Sequence, residues 1–225
     1  KGELDEVDYE LALGEPLPVK PPHLPQLASH LMNRLIRDGW KGSSITSTIE
    51  KDVQKHVINT VNIHHRRLAE NGIYNAAVLI LDIENGSVVS YVGNVKNDDP
   101  EHGSDVDIIR APRSTGSILK PYLYAGMLNE GAITPNMLIE DVPMVLSGYA
   151  PKNYNEKFDG AVPAQKALSR SLNVPIVKML QDYGVPKFHN QLKKMGLTTI
   201  NRPSSEYGLS LILGGAEAKL WDLCV

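Results

Sequence analysis

Two short runs carry the side chains best suited to chemistry. Arg113-Ser-Thr-Gly-Ser-Ile-Leu-Lys-Pro121 sets a hydroxyl, Ser117, three positions before an amine, Lys120. Residues at i and i+3 share a helix face, so the spacing predicts that the amine reaches the hydroxyl. A serine hydroxyl is a weak nucleophile until a base takes its proton, and a neutral lysine can act as that base. The lysine pKa must fall for this, which requires burial or neighbouring cations. A helix predicted over 117–130 would also put free backbone N–H groups beside Ser117, where they favour developing negative charge. Gly116 leaves room for a substrate to approach the backbone. Pro121 would collide with the Ser117 carbonyl in a regular helix, which predicts a distorted first turn.

Ser-x-x-Lys alone is common by chance, so the second run, Ser171-Leu-Asn173, carries much of the weight. It falls between two helical segments. There a hydroxyl can relay a proton, and an amide can hold a substrate carbonyl or the lysine. Asn173 also suits the N-cap of the helix that continues through Val174-Pro175, and the two roles can coexist. Other candidates are weaker. The seven histidines show no metal-ligand spacing, and His64-His65-Arg66-Arg67 reads as a solvated helix face. Asp98, Asp99, Asp105 and Asp107 read as a solvated loop, and Gly214-Gly215 as backbone packing or a turn.

The elements that must position these groups follow from periodicity. Residues 1 to about 26 join an acidic start to a proline-dense stretch, Pro16 to Pro25, and read as a linker or extended arm. Leu27 to Ile36 suits a short helix, and β-branched Ser44 to Ile49 a strand. Val53, Val57, Val61 and Leu68 lie on one helical stripe that runs to about Glu70. Ala76 to Leu81 and Ser87 to Val92 read as a hairpin about the turn Glu84-Asn85-Gly86. Further helices are predicted at 163–170, 174–183 and 186–195, with Pro175 and Pro186 in first turns and Gly184 and Gly196 at ends. The order implies an α/β domain ending on a helical stretch.

Composition narrows the function. The chain has 225 residues, 42% hydrophobic and 22% charged, with a net charge of −3, which gives no basic surface for nucleic acid. The lone Cys224 excludes an intrachain disulfide framework. The longest apolar run, Ala76 to Leu81, is too short to span a bilayer. Any membrane anchor is therefore expected outside these residues.

The two runs resemble motifs of one family. Gly116-Ser-Ile-Leu-Lys-Pro121 is similar to the active-site serine motif of penicillin-binding proteins, and Ser171-Leu-Asn173 to their second motif. Tyr149-Ala-Pro-Lys-Asn153, Phe158-Asp-Gly160 and Ala167-Leu-Ser-Arg-Ser-Leu-Asn173 resemble the class A, bifunctional branch. Arg110-Ala-Pro-Arg-Ser-Thr-Gly116 and Tyr207-Gly-Leu-Ser-Leu-Ile-Leu-Gly-Gly-Ala-Glu217 resemble its 1C subtype. The likeness spans about residues 40 to 225.

The resemblance implies a penicillin-binding/serine β-lactamase-like transpeptidase fold, with an N-terminal hairpin and a helical subdomain. It implies residues 1–43 as a linker after a glycosyltransferase domain, and 44–225 as a partial transpeptidase domain. Ser117 would be the nucleophile, Lys120 the base, Ser171 the proton relay and Asn173 a substrate holder. Gly116, Tyr149 and Asn153 would line the cleft. Peptidoglycan stem peptides and β-lactams are the implied partners, with no metal, cofactor or nucleic acid. The setting would be the periplasmic face of the cytoplasmic membrane. The family's third motif, Lys-Thr-Gly or similar, does not occur in the sequence, nor do the C-terminal strands expected to pair with the hairpin. This predicts an open sheet edge beside Ala76–Leu81 that favours self-association. A non-catalytic penicillin-binding module and a serine β-lactamase are the alternative readings.

Overall fold

The computed structural model describes residues 5–15, 26–96, 99–145, 148 and 150–224. Tyr149, Asp98 and the proline-dense stretch from Pro16 to Pro25 lie outside the described residues. The chain divides into an N-terminal region built on one hairpin and a larger helical region that carries both serine motifs.

Within the stretch read as an arm, helix α1 spans Glu6–Gly14. The Asp5 carboxylate accepts from the Asp8 N–H at 2.8 Å, and Glu6 and Asp8 occupy the positive end of the dipole. None of its residues is buried. Helix α2, Ser29–Leu35, runs into a π-helical turn, Ile36–Trp40, broken at Gly39, where φ is 97°.

Helix α3, Lys51–Ala69, lays Val57 and Val61 against the hairpin of β1, Val78–Leu81, and β2, Val88–Val92. The strands pair antiparallel, Val78 opposite Val92, with a bulge between Ile80 and Leu81. The predicted turn forms, with Gly86 at φ 70° and its N–H donating to Asp82 O at 2.8 Å.

The strand expected at Ser44–Ile49 does not form. The segment runs beside β2, touching it through Thr48 Oγ1 to Val88 O (2.7 Å) and Glu50 N to Val89 O (3.0 Å). Its place in the ladder is taken by a side chain. Gln54, wholly buried, accepts from Tyr91 N at 2.8 Å and donates to Tyr91 O at 3.0 Å, as a neighbouring strand would. The same amide accepts from Ser90 Oγ and donates to Leu27 O, so all four of its bonds are made.

The helical region is centred on α6, Asn173–Tyr183, in which Ile176, Val177 and Leu180 are fully buried. Around it stand α4 (Lys120–Asn129), α5 (Ala164–Ser169) and α7 (Val185–Lys194), with α8 (Ser204–Tyr207) and the 3-10 turn Gly208–Leu213 completing the core. Two short sheets brace these helices. Strand β3, Arg113–Ser114, pairs with β6, Glu217–Ala218, and β4, Leu138–Asp141, pairs with β5, Gly160–Pro163. Along β4, Ile139 and Asp141 alternate inward. A last helix, α9 (Leu220–Cys224), lies against β1. Its Trp221 ring stacks on the Arg110 guanidinium at 3.8 Å. Among the described residues β1 has β2 as its sole ladder partner. No helix among them is long and apolar enough to cross a membrane.

Candidate active site

The segment before Ser117 is fixed by β3 and its neighbours. Thr115 N donates to Ala216 O at 3.1 Å, and the Ser114 hydroxyl donates to Gly214 O at 2.9 Å. Gly214 adopts φ 101°, and a Cβ there would come within 3.0 Å of Gly116 Cα and N. Glycine is thus required at 214 by both conformation and close approach. Gly116, at φ 50°, faces open space where its side chain would be.

The helix predicted from 117 begins instead at Lys120. Pro121 decides this. In a helix starting at Ser117 its nitrogen would owe a bond to the Ser117 carbonyl, whereas in a first turn nothing is owed. The chain bridges the gap with tighter turns, Ile118 N to Thr115 O (3.0 Å) and Lys120 N to Ser117 O (3.1 Å). Ser117 consequently stands exposed on a turn just ahead of the helix.

Lys120 points into the protein and is 1% exposed. Its Nζ donates to Ser171 O (2.8 Å), Asn173 Oδ1 (2.7 Å), Ser171 Oγ (3.2 Å) and Leu172 O (3.4 Å). The amine therefore meets the second motif, and the hydrogen bond to Ser117 that the spacing predicts is not formed. Burial pushes the Lys120 pKa down to about 8, so a neutral amine is accessible near neutral pH.

The turn presenting the second motif is a helix C-cap. Leu172 N bonds Ala167 O at 2.9 Å and Ser171 N bonds Leu168 O at 2.8 Å, the 6→1 and 5→2 pair that ends many helices. The left-handed residue of such a cap is usually glycine. Here it is Ser171, at φ 51°. A hydroxyl stands where backbone energy favours none, a form of strain that clusters at functional sites.

Asn173 is the first residue of α6, not its cap, and its side chain makes no capping bond. Its Oδ1 is engaged by Lys120 and its Nδ2 donates to Lys152 O at 2.8 Å. Capping comes from Asn153, whose Oδ1 accepts from both Asn173 N (2.9 Å) and Val174 N (3.1 Å). Asn153 is 2% exposed, and its Nδ2 donates to Asp141 Oδ1 and Lys157 O. All four of its bonds are spent inside the protein. Asn153, expected to line the cleft, is thus buried, with its side-chain amide fully engaged.

The structure thus gathers Lys120, Ser171 and Asn173, and sets Gly116 and Ser117 on the adjacent exposed turn. Sequence reasoning missed Asp141 and Gly214. An acidic residue at an inward position of β4 was the available signal for the first; the packing or turn reading of Gly214-Gly215 was correct in kind but not linked to Ser117.

The helical subdomain thus brings a strained serine and a buried lysine together, and comparison with known proteins gives the family. Residues 76–211 match the penicillin-binding protein transpeptidase domain, and the chain belongs to that family. It is 35% identical to penicillin-binding protein 1C of Escherichia coli over 209 residues, 93% of this chain and 27% of that protein. It is 28% identical to penicillin-binding protein 1A of Rickettsia felis over 152 residues, covering 65% of this chain and 18% of that one. The chain thus spans about a quarter or less of these relatives. In fold it is similar to PonA1 of Mycobacterium tuberculosis, with a TM-score of 0.66 at 18% identity over 87% of this chain and 54% of that one. PonA1 in complex with penicillin V gives a TM-score of 0.62 at 19% identity, covering 88% of this chain and 55% of that one. The family, the 1C subtype and the fold read from the motifs all stand, the fold as a fragment with few strands.

Proposed function

We propose that this chain is the acyl-accepting part of a peptidoglycan D,D-transpeptidase, with Ser117 as the nucleophile. The observation that carries this is the buried Lys120 amine, held by Ser171 and Asn173 one turn after Ser117. Neutral Lys120 takes the Ser117 proton as Oγ bonds to the carbonyl carbon of a D-Ala-D-Ala stem peptide. The C–N bond breaks, and the departing D-alanine nitrogen receives a proton through the Ser171 hydroxyl. The amine of a second stem then attacks the ester, forming the crosslink and returning the proton to Ser117. In a β-lactam the bond that opens belongs to the ring, so the leaving amine stays attached and the ester persists.

Residues 1–43 act as a linker after a glycosyltransferase domain, and 44–225 as part of the transpeptidase domain. The protein works at the periplasmic face of the cytoplasmic membrane. Gly116, on the turn before Ser117 and open on its side-chain face, lines the substrate path. A non-catalytic penicillin-binding module is the second reading, favoured by the absence of a Lys120–Ser117 hydrogen bond among the described residues.

The test is incubation with a fluorescent penicillin, then denaturing electrophoresis of the native protein and its Ser117→Ala form. Label that survives denaturation and is lost in Ser117→Ala is expected. An unlabelled native protein overturns the acyl-enzyme, and label that is rapidly released points to a β-lactamase. Labelling without D-alanine release from a stem pentapeptide favours the binding module.

A further inference from the structure

The chemistry above uses Lys120, Ser171 and Asn173, but nothing in it accounts for Asp141. This carboxylate is 1% exposed and lies at the inward end of β4, opposite Gly160 of β5. A buried carboxylate is costly unless its oxygens are satisfied, so its partners mark what it is kept for. One oxygen accepts from Asn153 Nδ2 at 2.7 Å, and the other from Asp159 N at 3.0 Å.

Each partner leads to one side of the Ser171–Asn173 turn. Asn153, held by Asp141 and Lys157 O, caps α6 through the N–H groups of Asn173 and Val174. The neighbouring Lys152 carbonyl takes the Asn173 amide, which leaves Asn173 Oδ1 turned toward Lys120. On the other side Asp159 is ion-paired with Arg170, the residue before the left-handed Ser171. Both ends of the turn are therefore tied to one buried group.

We propose that Asp141 is a positioning residue for the reaction, acting through Asn153 and through the Asp159–Arg170 pair to hold Ser171 and Asn173 on the Lys120 amine. It touches neither substrate nor nucleophile. Without it the Asn153 amide keeps only the Lys157 carbonyl on its donor side, and the acceptor that caps Asn173, with the Lys152 carbonyl beside it, is held less firmly. The Lys120 ammonium then loses acceptors that favour its charged form.

The role rests on Lys120 as the base, but its test does not require turnover. Lysine-selective carbon-13 labelling of the whole chain follows the Lys120 titration in the native protein, in Asp141→Asn and in Asn153→Ala. Val61→Ala, in the separate hairpin cluster, serves as the control for lowered stability. In both site variants the Lys120 midpoint is expected to fall below the native one by at least about half a pH unit, the scale of a lost hydrogen bond to the charged form. The control leaves it in place. An unchanged midpoint in either folded variant overturns the proposal. On the native chain, the Asn173 and Val174 amides are expected to exchange as slowly as the interior of α6, and rapid exchange there overturns it as well. Failure of penicillin labelling with the expected titration shifts counts against the transpeptidase reading and not against this one.

Discussion

Two buried side-chain amides, one in each region, show how differently the two halves use the same device. Gln54 and Asn153 are both almost fully enclosed, and each makes all four of its hydrogen bonds. Gln54 sits on a regular helix and finishes an architecture, joining α3 and the segment before α2 to the free side of β2. Asn153 sits in a loop and finishes a site, capping the helix whose first residue meets Lys120. The surroundings differ in scale too. Among the described residues the helical cluster has twenty-two buried apolar members and the hairpin cluster four, so the helical region holds its parts far more firmly. A strained Ser171 and a buried Lys120 persist only where packing over-determines them.

The sharpest way to break the comparison is Gln54→Leu. It strands Tyr91 N and O, Ser90 Oγ and Leu27 O, at about 1–3 kcal/mol for each unpaired group. A loss of several kcal/mol is expected in urea unfolding, while the Lys120 midpoint stays at about 8. A shift of that midpoint would show that the regions are not separable in this way.

The next effect belongs to Lys120 itself. Its folded pKa is lowered from 10.5 to about 8 by burial, so between those values the unfolded chain binds the extra proton and stability rises with pH. The burial penalty is complete below about 8 and is relieved as pH rises to 10.5, by on the order of 3 kcal/mol in full. Urea midpoints measured from about pH 7.5 to about pH 10 should climb in the native chain and stay flat in Lys120→Met. Tyr91 runs the other way, since burial and Asp107 push its phenol up to about 12. Its contribution falls as pH rises above 10, the ordinary value for a tyrosine, outside the measured window.

The smallest effect concerns Ser171. Ser171→Gly removes the left-handed strain and should stabilise the fold by about 1 kcal/mol, read as a higher melting temperature. Penicillin labelling should slow in the same variant, because the hydroxyl beside Lys120 is gone. Slower labelling from a more stable protein separates the site from the scaffold.

Much of this was legible because it is local. The α3 stripe, the hairpin about Gly86 and the helices from 163 onward follow from periodicity and breakers within a few residues, and the two serine motifs from spacing. The strand expected at Ser44–Ile49 shows where local reasoning ends. Its residues suit a strand, but the edge it needed is occupied by Gln54, and propensity alone cannot show an edge to be taken. The helix expected at Ser117 fails for a reason written in the sequence, since Pro121 suits a first turn and not a fifth residue.

The sequence by itself determined the family, through its motif strings, together with the hairpin, the α3 stripe and the later helices, since motifs and hydrophobic period are properties of short windows. Tertiary structure alone decided that Lys120 is buried with a depressed pKa, that Ser171 takes a glycine's conformation, and that a buried Asn153, bonded to Asp141, caps α6. Each of these depends on which distant groups share a small volume, and desolvation and hydrogen bonding act across that volume, not along the chain.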